Sequence, residues 1–311
     1  MWDAQARALA GRCRVLRYDT RGHGRSSTAG PVSIKTLADD LIGLLDALSI
    51  SSVHMVGLSL GGMTAQALAI HHPARIRSLL LMATDAYLPP RDGWEQRART
   101  VREQGLGAIV DAAMGRWFTP ESAITCPEKV RFARSRFVAG DAEGYALCCE
   151  AIAAMDLRPQ LGGIKHSALV VAGRHDPVTT PDMCEALSKA IPGAGFQVVD
   201  GASHLIAMEQ AEAVNALLVD WLDHHGALLP APHRGSFEAG LANRKTVLGI
   251  DHVQRSLAQA GPFTGPWQDF ITRNAWGEMW GDPTLPFKLR SCVTLAMMIA
   301  LHREEEFKLH V

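Results

Sequence analysis

The stretch Val53-His54-Met55-Val56-Gly57-Leu58-Ser59-Leu60-Gly61-Gly62 runs from an apolar segment into a helical one through a serine set among small residues. A short apolar run closed by glycine reads as a buried strand, and Gly62 to His71 carries helical periodicity. A serine at so tight a strand-to-helix turn takes a strained backbone conformation that exposes its hydroxyl, and the neighbouring glycines let the helix approach. The helix N-terminus then lies under the serine, with the Leu60 N–H aimed where an oxyanion forms. The G-x-S-x-G pattern alone equally describes a small residue in a glycine-rich turn, so its meaning depends on partners elsewhere.

A serine hydroxyl is a weak nucleophile until a base, oriented by a third group, takes its proton. Downstream, Leu169-Val170-Val171-Ala172-Gly173-Arg174-His175-Asp176-Pro177 reads as an apolar strand ending in a turn that presents Asp176. Val198-Val199-Asp200-Gly201-Ala202-Ser203-His204 reads as a shorter strand whose loop presents His204. Open parallel sheets build their sites past strand C-termini, where all three residues fall, in the chain order serine, acid, histidine. Asp200 is the rival acid, on the histidine's own loop. His23 is expected in a structural turn, His54 in the core, and His175 has no assigned role.

Outward from these segments, short apolar runs alternate with amphipathic ones, the pattern of a parallel sheet wound with helices. Further strands are expected at Arg14 to Asp19, Ser52 to Gly57, Ser78 to Ala83, Ala168 to Ala172 and Gln197 to Val199. Leu37, Leu41, Leu44, Leu45 and Leu48 recur at helical spacing after Ser33, an expected N-cap, and Ala211 to Leu222 repeats the pattern. Residues 89–163, rich in Arg, Ala and Glu, read as several helices inserted between two strands, as a cap over a site. Gly226, Pro230, Pro232 and Gly235 mark residues 224–236 as a linker, and beyond it the pattern is helical without strands. The expected organisation is thus an α/β domain over 1–223 and a helical segment over 237–311.

With 47% hydrophobic and 20% charged residues and a formal net charge of -1, the chain has the composition of an ordinary globular protein, which disfavours a nucleic-acid partner. The longest apolar stretch, around Cys292 to Leu301, falls well short of the roughly 20 residues that a membrane helix requires. Met1 to Arg17 lacks the apolar core of a secretion signal, so a cytoplasmic location is expected. The six cysteines form no C-x-x-C pair, which argues against a zinc site and reads as small core residues, with Cys292 alone near suspected chemistry.

Arg17-Tyr18-Asp19-Thr20-Arg21-Gly22-His23-Gly24-Arg25-Ser26, Gly57 to Met63 and Gly201-Ala202-Ser203-His204 together resemble the α/β-hydrolase family over about Met1 to Trp221, and within it the 3-oxoadipate enol-lactonases. Gly115-Arg116-Trp117-Phe118-Thr119-Pro120 looks like the lactonase version of the cap. The resemblance implies Ser59 as nucleophile, His204 as base, Asp176 as its orienting acid and Leu60 N–H as oxyanion donor, with Arg116 recognising a substrate carboxylate and Trp117 covering its ring. It also implies that front strands of the sheet, and a loop supplying a second oxyanion N–H, precede Met1.

From Phe237 onward, Phe237-Glu238-Ala239-Gly240, Arg244, Val247-Leu248-Gly249, Asp269-Phe270-Ile271-Thr272, Trp276-Gly277-Glu278 and Arg290-Ser291-Cys292 resemble the front of the 4-carboxymuconolactone decarboxylases. Arg303, Glu306 and His310 fall three and four apart, on one face of a helix. Spacing alone reads them as a solvated charged surface. The resemblance instead implies His310 and Glu306 as base and acid and Arg303 as a carboxylate clamp, with Glu278 a competing acid. It implies only part of that helical domain, and association of copies through it. The two activities are consecutive, since the decarboxylase's product is the enol-lactone that the hydrolase opens. The expectation is therefore a bifunctional enzyme acting on a small lactone, with no metal or organic cofactor. The alternatives are a general carboxylesterase or cofactor-free perhydrolase, and a hydrolase-like protein that only binds a small ligand.

Overall fold

The computed structural model describes residues 1–229, 236–282 and 287–300. Contacts divide the chain into two units, Met1–Ala8 with Leu16–Ala227, and Leu9–Val15 with Leu228–Val311.

The first unit opens with α1 (Asp3–Ala8) and α2 (Ile34–Ala47), followed by β1 (Val53–Leu58), α3 (Leu60–His71) and β2 (Ile76–Met82). Between β2 and the next strand lie α4 (Arg91–Gln104), α5 (Val110–Trp117), α6 (Pro120–Thr125), α7 (Pro127–Val138) and α8 (Ala142–Ala154), the helical cap. The sheet resumes with β3 (Ser167–Gly173), α9 (Pro181–Ala190) and β4 (Gly195–Val199), and the unit ends in α10 (Ile206–Glu209) and α11 (Ala211–His224). Among the described residues the strands form one parallel sheet in the order β1-β2-β3-β4.

A parallel sheet covered on both faces needs strands apolar throughout rather than alternating. In β2, Leu79, Leu80, Leu81 and Met82 are all fully buried, each stabilising the fold by about 1.5–3 kcal/mol. On one side α2 turns Leu37, Leu41 and Leu45 into the core, beginning where the Ser33 side chain accepts from Thr36 N–H. Helix α3 is apolar nearly all round, as a helix buried on most sides must be, and its small residues bring it close. A Cβ at Gly62 would stand 2.6 Å from the Thr84 side chain.

The strand expected at Arg14 to Asp19 does not form. Its backbone finds no ladder partner beside β1, and Val15 and Leu16 stay exposed, so apolar character alone cannot make it a strand. Asp19 to Ser26 instead closes a turn in which Asp19 accepts from Arg25 N–H at 3.1 Å and Arg21 pairs with Asp40 at 2.7 Å. This turn touches the cap backbone to backbone. A Cβ at Gly22 would stand 2.6 Å from Gly144 Cα, and one at Gly144 would stand 2.2 Å from the Gly22 carbonyl oxygen.

In the second unit the described elements are helical: α12 (Phe237–Leu248), α13 (Ile250–Ala258), α14 (Thr264–Ile271), a π-helical stretch (Thr272–Met279) and α15 (Phe287–Ala300). The segments cross closely enough that a Cβ at Gly240 would overlap the Thr272 carbonyl. Buried Arg244 ties three of them together through Gln268, Thr272 and Ser256. Cys148, Cys149 and Cys184 are core residues as expected, but Cys13 and Cys126 are half-buried and Cys292 is exposed. Among the described residues no helix is long and apolar enough to cross a membrane.

Candidate active site

Ser59 follows β1 directly and heads α3 with φ 54° and ψ -117°, a left-handed conformation that costs a non-glycine residue about 1–3 kcal/mol. Surrounding bonds hold it there. Its N–H donates to the Met82 carbonyl at 2.9 Å, and its own carbonyl accepts from Met63 N–H at 3.0 Å and the Thr84 hydroxyl at 2.8 Å. Gly57 is required by the same turn, because a Cβ there would lie 2.3 Å from the Gly61 carbonyl oxygen. Leu60 is the first residue of α3, where backbone N–H groups have no acceptor within the helix. Among the described residues Ser59 Oγ has no hydrogen-bond partner.

Asp176 lies in the turn after β3 and is 3% exposed; His204 lies on the loop after β4 and is 4% exposed. The two are joined by a 2.8 Å contact between His204 Nδ1 and Asp176 Oδ2. Thr179 Oγ1 also donates to Oδ2 at 2.7 Å, while Oδ1 accepts from Val178 N–H at 2.7 Å and Thr179 N–H at 3.2 Å. Burial pushes the Asp176 carboxyl up. The hydrogen bond and charge of His204, with the Thr179 and Val178 donors, outweigh it and hold the pKa below the ordinary value. An ionised carboxylate only accepts, so in the neutral imidazole the proton sits on Nδ1 and Nε2 is left with the lone pair. The rival Asp200 pairs with Arg174 at 2.8 Å and its side chain is exposed. His175 is exposed, His23 belongs to the Arg21–Ser26 turn, and His54 is half-buried against Ser78 rather than in the core.

The cap is sewn to the histidine's loop. Ser203 Oγ donates to the Arg116 carbonyl at 2.7 Å, and Leu205 N–H donates to the Trp117 carbonyl at 3.0 Å. Arg116 and Trp117 thus stand at the end of α5 beside His204, and the Trp117 ring meets Phe137 edge-on at 5.2 Å between centroids. Buried Glu209 makes the third stitch: Oε1 accepts from Thr119 N–H at 2.7 Å and Oε2 from Ser203 N–H at 2.6 Å. Gly173 lets the β3 end pass under this loop, since a Cβ would lie 2.2 Å from the Ser203 carbonyl oxygen. Sequence reasoning missed Glu209 and Thr179. A lone carboxylate amid Ile206, Ala207 and Met208 was the available signal for the first, and nothing local marked the second.

Glu209→Gln tests the stitch. The amide keeps one acceptor and turns a donor toward Thr119 or Ser203, so one buried N–H loses its partner, at a cost of about 1–3 kcal/mol. Urea unfolding should show a lower midpoint, with a parallel fall in hydrolysis as the His204 loop loosens; an unchanged midpoint would show that the contact contributes nothing.

Of the residues expected in the second region, Glu278 is exposed in the π-helical stretch, whereas Arg303, Glu306 and His310 lie outside the described residues.

Comparison with known proteins places residues 1–211 on the family model described as the alpha/beta hydrolase fold. The 3-oxoadipate enol-lactonase 2 of Acinetobacter baylyi is 44% identical over 216 residues, spanning 69% of this chain and 80% of that protein. Among solved structures, the enol-lactonase from Burkholderia xenovorans LB400 matches with 43% identity and a TM-score of 0.69 over 71% of this chain and 85% of its own. A thermophilic esterase from Thermogutta terrifontis matches with 30% identity and a TM-score of 0.69 over 72% and 85%.

Proposed function

The chain belongs to the α/β-hydrolase fold family, and from that membership we propose that it is a serine hydrolase that opens 3-oxoadipate enol-lactone. The observation that carries this reading is the buried His204–Asp176 pair on the strand ends of the same sheet that bears the strained Ser59 turn. Similarity to the two enol-lactonases supports the lactone as substrate.

In this mechanism Ser59 Oγ attacks the ring carbonyl carbon as His204 Nε2 takes its proton. Asp176 holds the imidazole in its Nδ1–H form and stabilises the imidazolium. The tetrahedral oxyanion is met by the Leu60 N–H and the positive end of α3. When the ring C–O bond breaks, the departing enolate takes the proton from Nε2 and tautomerises to a ketone. Water, deprotonated by His204, then releases the second carboxylate from Ser59. Arg116 recognises the carboxylate already present in the lactone, and Trp117 covers the ring.

A fluorophosphonate should modify Ser59, seen by mass spectrometry, and enol-lactone should be turned over with kcat/KM at least about tenfold above that of simple esters. Labelling with equal rates on both would make the chain a general carboxylesterase, the activity class of the esterase relative. Failure to label would leave a binding protein.

For the second unit we propose a 4-carboxymuconolactone decarboxylase-like segment. Its support is the spacing of Gly240, Arg244, Trp276 and Glu278 within a segment whose described elements are helical. The test is carbon dioxide release from 4-carboxymuconolactone: a rate above background supports the reading, and no release overturns it.

A further inference from the structure

We propose that the second unit carries a pocket for a small oxyanion, a carboxylate or an inorganic phosphate, lined by His252, Arg255, Ser256 and Gln268 and backed by the buried guanidinium of Arg244. The pocket is independent of both proposed activities. Arg244 enters the decarboxylase reading only through its spacing, and that reading gives the lining residues no role.

Arg244, on α12, is 7% exposed. A guanidinium only donates hydrogen bonds, and every acceptor that this one meets is neutral. Nη1 donates to Gln268 Oε1 at 2.7 Å and Thr272 Oγ1 at 3.2 Å, and Nη2 donates to Ser256 Oγ at 3.3 Å. Nε is buried with no hydrogen-bond partner. Among the described residues no carboxylate pairs with Arg244, and Asp269, the neighbour of Gln268, is taken up by Arg273 at 2.8 Å. Burial pulls the Arg244 pKa below its usual value, and no nearby acid offsets the pull. A guanidinium placed only to join helices needs an opposite charge once it is withdrawn from water. Here an anion from outside the chain can supply it.

Two of the groups that Arg244 holds face an opening. Ser256 and Gln268 line a pocket of about 400 Å³ together with His252, Arg255, Gln259 and Thr264, and no acidic residue among the described ones lines it. Arg244 fixes what this wall presents. Gln268 Oε1 and Ser256 Oγ both accept from the guanidinium, so what they have left to give is the amide N–H2 and the hydroxyl proton. Thr264 is set in the same way, its Oγ1 accepting from Gly261 N–H at 2.9 Å. Arg255 is exposed and has no ion pair among the described residues. One guanidinium thus stands on the lining and another behind it, with donors between them. That combination suits a ligand with several negatively charged oxygens, to which charge-assisted bonds are the strong ones.

Calorimetry on the whole chain with sodium phosphate and, separately, sodium acetate, each against chloride at equal ionic strength, tests the pocket. Binding of either supports it, and the tighter of the two identifies whether the site takes phosphate or carboxylate. Arg255→Met, at an exposed position, should weaken binding at least about tenfold, the loss of one charge-assisted bond, and leave the melting temperature unchanged. Gln268→Glu keeps the side-chain shape but sets a carboxylate against Arg244, so binding should fall at least about tenfold while the melting temperature holds or rises. Should that variant fail to fold, Arg255→Met decides alone. Arg99→Met, in the cap, should change neither readout. A wild-type chain that binds neither anion overturns the pocket and makes Arg244 a plain tie between helices. Binding that survives both substitutions also overturns it, since the anion then sits elsewhere, the Ser59 site included.

Discussion

Ser59→Ala is expected to lower enol-lactone hydrolysis by roughly five to six orders of magnitude, the scale on which a nucleophile acting as one unit with its base is lost. Folding should survive. Alanine keeps the Cβ that the turn already accommodates at φ 54°, and the backbone bonds to Met82, Met63 and Thr84 do not involve Oγ. Because Oγ has no hydrogen-bond partner among the described residues, its removal orphans nothing and the melting temperature should hardly change. Any residual rate reports the Leu60 N–H and substrate binding. A folded variant with near-normal turnover would mean that Ser59 is a turn residue and that another group attacks.

Asp176→Asn is the second large effect, expected at about ten-thousandfold in kcat. The asparagine amide cannot accept at both positions. It places N–H2 either against Thr179 Oγ1 and His204 or against the backbone N–H groups of Val178 and Thr179. Facing His204, it favours the tautomer with the proton on Nε2, which has no lone pair for the serine. The same substitution carries a pH signature. The folded carboxyl titrates below its unfolded value, near 3.8, so its contribution to stability is complete above that pH and is lost as pH falls through the lower folded value. The stability gap between wild type and variant, read from urea midpoints, should be full at neutral pH and narrow below about pH 4. A constant gap would mean that Asp176 titrates alike in both states.

What could be read from the chain depended on how local the cause was. The Ser59 turn was legible because strand, glycines and helix all lie within a dozen or so neighbouring residues. The helix after Ser33 was legible from its cap and its leucine spacing. The segment from Arg14 to Asp19 has the apolar residues of a strand, but a strand exists only by pairing, and pairing is decided by residues far away in sequence. Glu209 was missed for the same reason: it acquires meaning only when the cap folds back over the loop bearing His204. Asp176 was preferred to Asp200 because Asp200 precedes His204 on the histidine's own loop, and burial then separates them in fact, one enclosed and hydrogen-bonded four times, the other facing solvent with Arg174.

The backbone contact between Gly22 and Gly144 bears on how such a molecule can be altered over time. A helical insertion between two strands is, genetically, a cassette, and recombination can exchange it without touching the sheet. Here the cassette meets the frame at a joint with no room for a methyl group on either face. Half of that joint is encoded in the loop after Arg21 and half at the start of α8. An incoming cap from another lineage must therefore bring a glycine at the matching place and an identical approach of its helix, or the frame must change with it. Loops on the outer rim of the cap are free to drift, whereas the seam makes cap and frame heritable as a single piece.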